Sequence, residues 1–211
     1  MTNLYGDPEA STVLIQMVDS HDLEGIESEA AMIREMTDVR FSLQAIRVQN
    51  WNDDLSPWPA PAVFGQASFG GGAAETLEKV LKACADPEKT YIIGGYSLAG
   101  LFALWAAYQT GAFKGVAAAS PSVWFPGFTD YMQNNQIRTG SVYLSLGDRE
   151  ERTRNPVMAA VGDKIREAHK LLSDQGIHTM LEWNEGNHFR DADIRTAKAF
   201  LWVMKQCPAS T

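Results

Sequence analysis

The stretch Gly94-Gly95-Tyr96-Ser97-Leu98-Ala99-Gly100 joins two apolar segments and restricts the possible folds more than any other part of the chain. Residues 90–94 before it are short and apolar, as a buried strand is. Residues 98–108 after it are apolar nearly all round. A helix without a polar face cannot lie on a surface and must be packed on most sides. A turn of small residues must therefore carry the chain from a buried strand straight into a buried helix, with Gly111 as the expected stop.

The rest of the chain repeats this alternation. Residues 12–18 read as a buried strand, and Leu23, Ile26, Ala30 and Ile33 then recur at helical spacing. Residues 41–48 form a second strand. Residues 73–84 are helical, with Ala73, Leu77, Leu81 and Cys84 on one face and Asp86-Pro87 as the stop. Strands follow at 114–119, 141–146 and 178–183. Asn155-Pro156 is an N-cap with proline at the first helical position, opening a helix that ends before Gly176. A last amphipathic helix covers 193–205. Strands alternating with helices imply a parallel sheet covered on both faces. Right-handed crossovers bring every strand's C-terminal end to one edge, where ligands of open sheets bind.

Composition narrows the function classes. The chain has 211 residues, with 18 Lys plus Arg against 26 Asp plus Glu and a formal charge of -8. No basic cluster is present, which argues against a nucleic-acid groove or an anionic-membrane patch. Cys84 and Cys207 are far apart and in no metal-ligand spacing, which fits a reducing compartment. Residues 1–10 contain Asp7 and Glu9 and no apolar core, so they do not read as a secretory signal. The longest apolar run, 101–108, is far below the ~18 residues that span a bilayer. The expectation is a cytoplasmic, lidless single domain over 1–211.

The segment 94–100 fits the nucleophile elbow of the α/β-hydrolase fold, Gly-x-Ser-x-[Gly/Ala]-Gly with Ala99 in the fifth place. The turn lifts Ser97 above the sheet. It also puts the Leu98 N–H at a helix N-terminus, where positive partial charge favours an oxyanion. The Lys of a P-loop and the spacing of a dinucleotide fingerprint are absent.

A serine hydroxyl needs a base, usually His. Of the four histidines, His169 lies inside a helix and His178 begins a strand at the opposite edge. His21 and His188 both follow strands on the active edge. In this fold the triad runs Ser, acid, His, which selects His188 and leaves His21 as a residue that would line the pocket. The acid should follow the strand 141–146. Glu150, three residues beyond Gly147, holds the usual place, with Asp148 and Glu151 as rivals. A second oxyanion donor should follow the first strand; Val18 N–H is the candidate, although the usual His-Gly of that loop is absent. The long loop 50–72 contains Trp51 and Trp58 among prolines. With Trp124 they could form an aromatic wall for the substrate.

Gly95-Tyr96-Ser97-Leu98-Ala99-Gly100, Ser120-Pro121-Ser122-Val123-Trp124 and Gly186-Asn187-His188-Phe189 together resemble the esterase D-like branch of the α/β-hydrolases. That branch includes siderophore esterases, S-formylglutathione hydrolases, feruloyl esterases and mycolyltransferases. The resemblance covers residues 12–204. It implies a minimal six-stranded sheet of order 2-1-3-4-5-6 without a cap, both N-terminal antiparallel strands being absent. It also implies a carboxylic ester hydrolase working through Ser97, His188 and Glu150 and an acyl-enzyme, with no metal or cofactor. An acyltransferase would use the same residues, and a non-catalytic ligand receptor would use the same scaffold. Metal-assisted hydrolysis at Asp19, His21 and Asp22 lacks an established ligand spacing.

Overall fold

The computed structural model describes residues 2–63 and 65–207. Its strands are β1 (Thr2–Gly6), β2 (Thr12–Val18), β3 (Phe41–Arg47), β4 (Pro59–Ala60), β5 (Phe69–Gly70), β6 (Thr90–Tyr96), β7 (Phe113–Ala119), β8 (Ser141–Gly147) and β9 (His178–Asn184). Its helices are α1 (Asp22–Glu35), α2 (Trp51–Asp54), α3 (Ala73–Ala83), α4 (Leu98–Gln109), α5 (Phe128–Asn134), α6 (Pro156–Ala159), α7 (Val161–Asp174) and α8 (Ala192–Gln206).

Seven strands form one sheet in the order β1-β3-β2-β6-β7-β8-β9. From β3 to β9 every pairing is parallel, so six strands run in the expected order. The seventh corrects the expectation. One N-terminal strand is present: β1 pairs antiparallel with β3, Thr2 opposite Ile46 and Gly6 opposite Ser42. It lies at the sheet's edge, and its residues alternate between exposed and half-buried. It therefore needs no continuous apolar run.

Strands β2, β3, β6, β7 and β8 are largely buried on both faces, which is why they read as apolar runs, whereas β9, at the other edge, alternates between exposed and half-buried residues. In β2, Val13, Ile15 and Met17 face the layer of α3, α4, α5 and α7. Leu14 and Val18 face the layer of α1 and α8. Helix α4 is buried at every residue from Leu98 to Tyr108, as its lack of a polar face demands. It ends at Thr110 in an extended conformation, so Gly111 does not serve as a left-handed cap. The Asn155 side chain caps α6, accepting from the Val157 and Met158 N–H groups. The long loop after β3 is itself folded: Asn50 caps α2, and β4 pairs with β5.

Candidate active site

Ser97 stands between β6 and α4 with φ 56° and ψ -119°, a sparsely populated conformation for a residue with a side chain. Two backbone bonds from outside the turn hold it there. Ser97 N–H donates to Ala119 O at 3.1 Å, and Ser122 N–H donates to Ser97 O at 3.0 Å. The small neighbours are a steric need: a Cβ on Gly95 would lie 2.7 Å from Ala99 Cβ. Leu98 opens α4, so its N–H belongs to the first-turn donors that no helical carbonyl can reach.

The Ser97 hydroxyl is 2.9 Å from His188 Nε2. His188 Nδ1 is 2.6 Å from Glu150 Oε2. If Nδ1 carries the proton and donates to the carboxylate, Nε2 is left to accept from the serine. The other carboxylate oxygen, Glu150 Oε1, accepts from Gly147 N–H at 2.7 Å, Ser120 Oγ at 2.8 Å and Arg195 Nη1 at 3.1 Å. Glu150 is thus fixed on one side by three donors and presents the other side to the histidine. Gly147 permits this closure, because a Cβ there would collide with the Gly186 carbonyl oxygen.

These groups line a cavity of about 400 Å³. Trp51, Phe69 and Trp124 form an aromatic wall, with Met158, Val161 and Phe189 completing an apolar lining. Asn52, Ser120 and Ser122 add polar edges. Among the described residues, no group of three or more His, Cys, Asp or Glu side chains is placed to hold a metal ion. No helix among them is long and apolar enough to cross a membrane.

Among solved structures the chain is similar to an IroE-like serine hydrolase from Shewanella oneidensis. The TM-score is 0.80 at 14% identity, over 99% of this chain and 77% of that one. It is similar to the siderophore hydrolase EstA from Aspergillus nidulans, with a TM-score of 0.65 at 17% identity over 96% of this chain and 86% of that one. The enterobactin esterase FES from Shigella flexneri matches with a TM-score of 0.65 at 12% identity, over 98% of this chain and 56% of that one. The fold is that of the α/β-hydrolases. No protein-family model matches the chain. Among curated proteins, the uncharacterized protein YbbA of Bacillus subtilis is 23% identical over 149 residues, or 64% of this chain. The chain spans only 59% of that relative's length.

Within this α/β-hydrolase frame the sequence-derived candidates separate. Ser97, Leu98, Glu150, His188, Trp51 and Trp124 all line the one cavity. Asp148 and Glu151 do not touch His188. Asp148 Oδ1 instead accepts from Gly186 N–H at 2.8 Å and so supports the histidine's loop. Glu151 pairs with Arg166 at 3.6 Å.

Three candidates are not at this cavity. Trp58 packs on Phe125, Phe128 and Tyr131, and its Nε1–H donates to Pro126 O at 3.0 Å. It anchors the loop after β3 to the core. His21 stands at the start of α1 with its side chain 90% exposed, on a different cleft. Val18 is fully buried at the end of β2 with its side chain in the α1/α8 layer, and it does not line the cavity.

Arg195 was not legible as a site residue. It is the largest fully buried side chain among the described residues. Besides Glu150 it donates to Tyr96 Oη at 3.0 Å and to Glu185 O at 3.0 Å. Tyr96 Oη in turn donates to His188 O at 2.9 Å. One guanidinium therefore ties the acid, the strand before the serine and the loop of the histidine together. A lone arginine in an amphipathic helix carries no signal of this, since its partners lie far away in the chain.

Proposed function

We propose that this protein is a serine hydrolase of carboxylic esters, with Ser97 as nucleophile, His188 as general base and acid, and Glu150 as the acid that orients the imidazole. The observation that carries this reading is the unbroken relay of 2.9 Å and 2.6 Å between three side chains that line an apolar cavity. Nucleophile and base within hydrogen-bond reach, with a third group orienting the base, is the arrangement that activates a serine. The names of the structural neighbours, serine hydrolase and esterase among them, support it further.

In the proposed cycle His188 Nε2 takes the Ser97 proton as Oγ attacks the ester carbonyl. Leu98 N–H, at the N-terminus of α4, stabilises the oxyanion. Imidazolium forms against Glu150 and then passes its proton to the leaving alkoxide. Water, activated by the same histidine, releases the acid. Arg195 acts as a positioning residue, holding Glu150 and the loop of His188 in one geometry. The wall of Trp51, Phe69 and Trp124 favours an apolar or aryl group on the ester.

Turnover of short-chain p-nitrophenyl esters tests the assignment. Ser97→Ala and His188→Ala should each lose nearly all activity, and Glu150→Gln most of it. Full activity in any of the three, with the native fold intact, would remove that residue from the mechanism.

A further inference from the structure

The turn after β7 touches both ends of the Ser97–His188–Glu150 relay. Ser120 has φ 41°, in the left-handed region that a residue with a side chain rarely adopts. Its hydroxyl donates to Glu150 Oε1 at 2.8 Å. Two residues on, past Pro121, the Ser122 N–H donates to Ser97 O at 3.0 Å, and the Ser122 hydroxyl lies 3.3 Å from Ser97 Oγ. Helix α4 is pressed against this turn: a Cβ on Gly100 would be 3.2 Å from Pro121 Cβ and 3.3 Å from Ala119 O. Phe125 N–H closes the turn on Ser122 O at 2.9 Å. Ser122 is thus held from both sides. It is only 2% exposed and yet lines the cavity.

The direction of the hydroxyl pair follows from counting protons. Ser97 has one hydroxyl proton, and in the relay it goes to His188 Nε2 at 2.9 Å. The remaining lone pairs of Ser97 Oγ accept, so Ser122 is the donor. The relay by itself gives this second hydroxyl no task. At 3.3 Å the bond is longer than the ~2.7–2.8 Å usual for O–H···O pairs. Bonds of this kind shorten and strengthen as negative charge grows on the acceptor.

We propose that Ser122 is a fourth catalytic residue, whose hydroxyl donates to Ser97 Oγ and stabilises it as the leaving atom of deacylation; the proposal rests on the serine-hydrolase reading above. In deacylation, water attacks the acyl carbon and gives a proton to His188 Nε2. The tetrahedral carbon then reforms its carbonyl and expels Ser97. The C–Oγ bond breaks, its electron pair goes to Oγ, and Oγ takes the proton back from His188.

In the acyl-enzyme Oγ is an ester oxygen and a weak acceptor, so little of the bond from Ser122 remains. The bond returns as Oγ takes on negative charge. An interaction that is stronger in the transition state than in the ground state raises the rate. In acylation the bond already exists before the attack, so the transition state gains less from it. Ser122 therefore acts on deacylation more than on acylation.

Ser122→Ala, which removes one oxygen atom and leaves the backbone bonds of the turn in place, tests this with p-nitrophenyl acetate. Acylation is read as kcat/KM. Deacylation is read as kcat divided by the fraction of enzyme held as acetyl adduct in the steady state, measured by acid quench and intact mass. Deacylation should slow by about tenfold and acylation by about threefold or less, the loss of a bond to a charged acceptor against one to a neutral acceptor. Ser122→Cys, of similar shape but a weak donor, should shift the two steps in the same direction by a smaller factor, and it carries the test if Ser122→Ala does not fold. Equal loss in both steps, or an unchanged deacylation rate, would overturn the proposal.

Added methanol gives a readout that a merely structural role would not move. Water and methanol compete for the same acyl-enzyme, and the leaving Oγ is common to both reactions. The ratio of methyl acetate to acetic acid should therefore be the same in Ser122→Ala as in the native protein. A changed ratio would place the hydroxyl on the incoming nucleophile and overturn the assignment to Oγ. A native protein with neither acetyl adduct nor turnover would sink the hydrolase reading and the role of Ser122 with it. A native adduct that Ser122→Ala releases at the native rate would sink the role of Ser122 alone.

Discussion

The apolar cavity and a second cleft, lined by Asp22, Glu29 and Asp193, share Phe189 and are separated by the turn through Tyr96 and Ser97, yet they are chemically opposite. In the apolar cleft each ionisable group is tied into one network: serine to histidine, histidine to Glu150, Glu150 to Arg195. In the acidic cleft the buried carboxyl of Glu29 has no cation beside it among the described residues and accepts from Gln16 Nε2 at 3.3 Å. The same physics gives two outcomes. A buried charge that meets a guanidinium and several donors becomes a fixed part. A buried carboxyl without them gives up its charge and takes a proton instead. Arg195 on α8 serves the first cleft, while Asp193, two residues earlier, faces the second.

The largest expected effect breaks the comparison cleanly. Ser97→Ala should lower kcat for p-nitrophenyl esters by about 10⁴-fold or more, the usual scale for losing such a nucleophile. The same variant should keep the native pH dependence of stability, because Ser97 does not line the acidic cleft.

Arg195→Met should damage the shared wall. It leaves Glu150 buried and short of its counter-charge, with a stability loss of about 3–5 kcal/mol in chemical denaturation. At temperatures where the variant stays folded, turnover should fall through kcat rather than KM. An Arg195→Lys variant, which restores the charge but not the fork, should recover stability better than activity.

A smaller effect belongs to the acidic cleft. The Glu29 carboxyl is raised from 4.5 to about 8, so between those values the folded state holds a proton that the unfolded chain has lost. Its contribution to stability is therefore full below about 4.5 and is lost as pH rises through about 8, at a rate of up to ~1.4 kcal/mol per pH unit. Denaturation of Glu29→Gln across this range should show a flatter pH dependence than the native protein. Equal slopes would remove Glu29 as the source.

The smallest effect separates two of the three tryptophans that the sequence grouped into one wall. Trp124→Ala should raise KM for aryl esters about tenfold and leave small esters less affected, the loss of one aromatic contact in a pocket. Trp58→Ala should instead lower Tm and spare that selectivity.

The sequence showed the six parallel strands, the elbow and the histidine loop because each carries a local signal. Continuous apolar runs mark buried strands, and small residues mark a turn that a Cβ would jam. What it did not show depends on distant partners. Strand β1 has no apolar run, since its exposed edge does not require one. Trp51 and Trp58 sit in one loop and look alike. Their difference comes from α5, a short helix that Trp58 packs against. Arg195 reads as a solvent-facing residue of an amphipathic helix until Glu150, Tyr96 and Glu185 are brought to it. Glu150 is already the first choice for the acid by its spacing from Gly147; its contact is what the folded loop adds, with its carboxylate 2.6 Å from His188 Nδ1 while Asp148 and Glu151 are engaged elsewhere.

The central claim is that Ser97 is an activated nucleophile, and intact-mass spectrometry after incubation with a fluorophosphonate tests it most directly. The account predicts one covalent adduct per chain, mapped by digestion to Ser97, formed by the native protein and absent in Ser97→Ala and His188→Ala. A native protein that stays unmodified while folded, or an adduct on another residue that persists in Ser97→Ala, would contradict it.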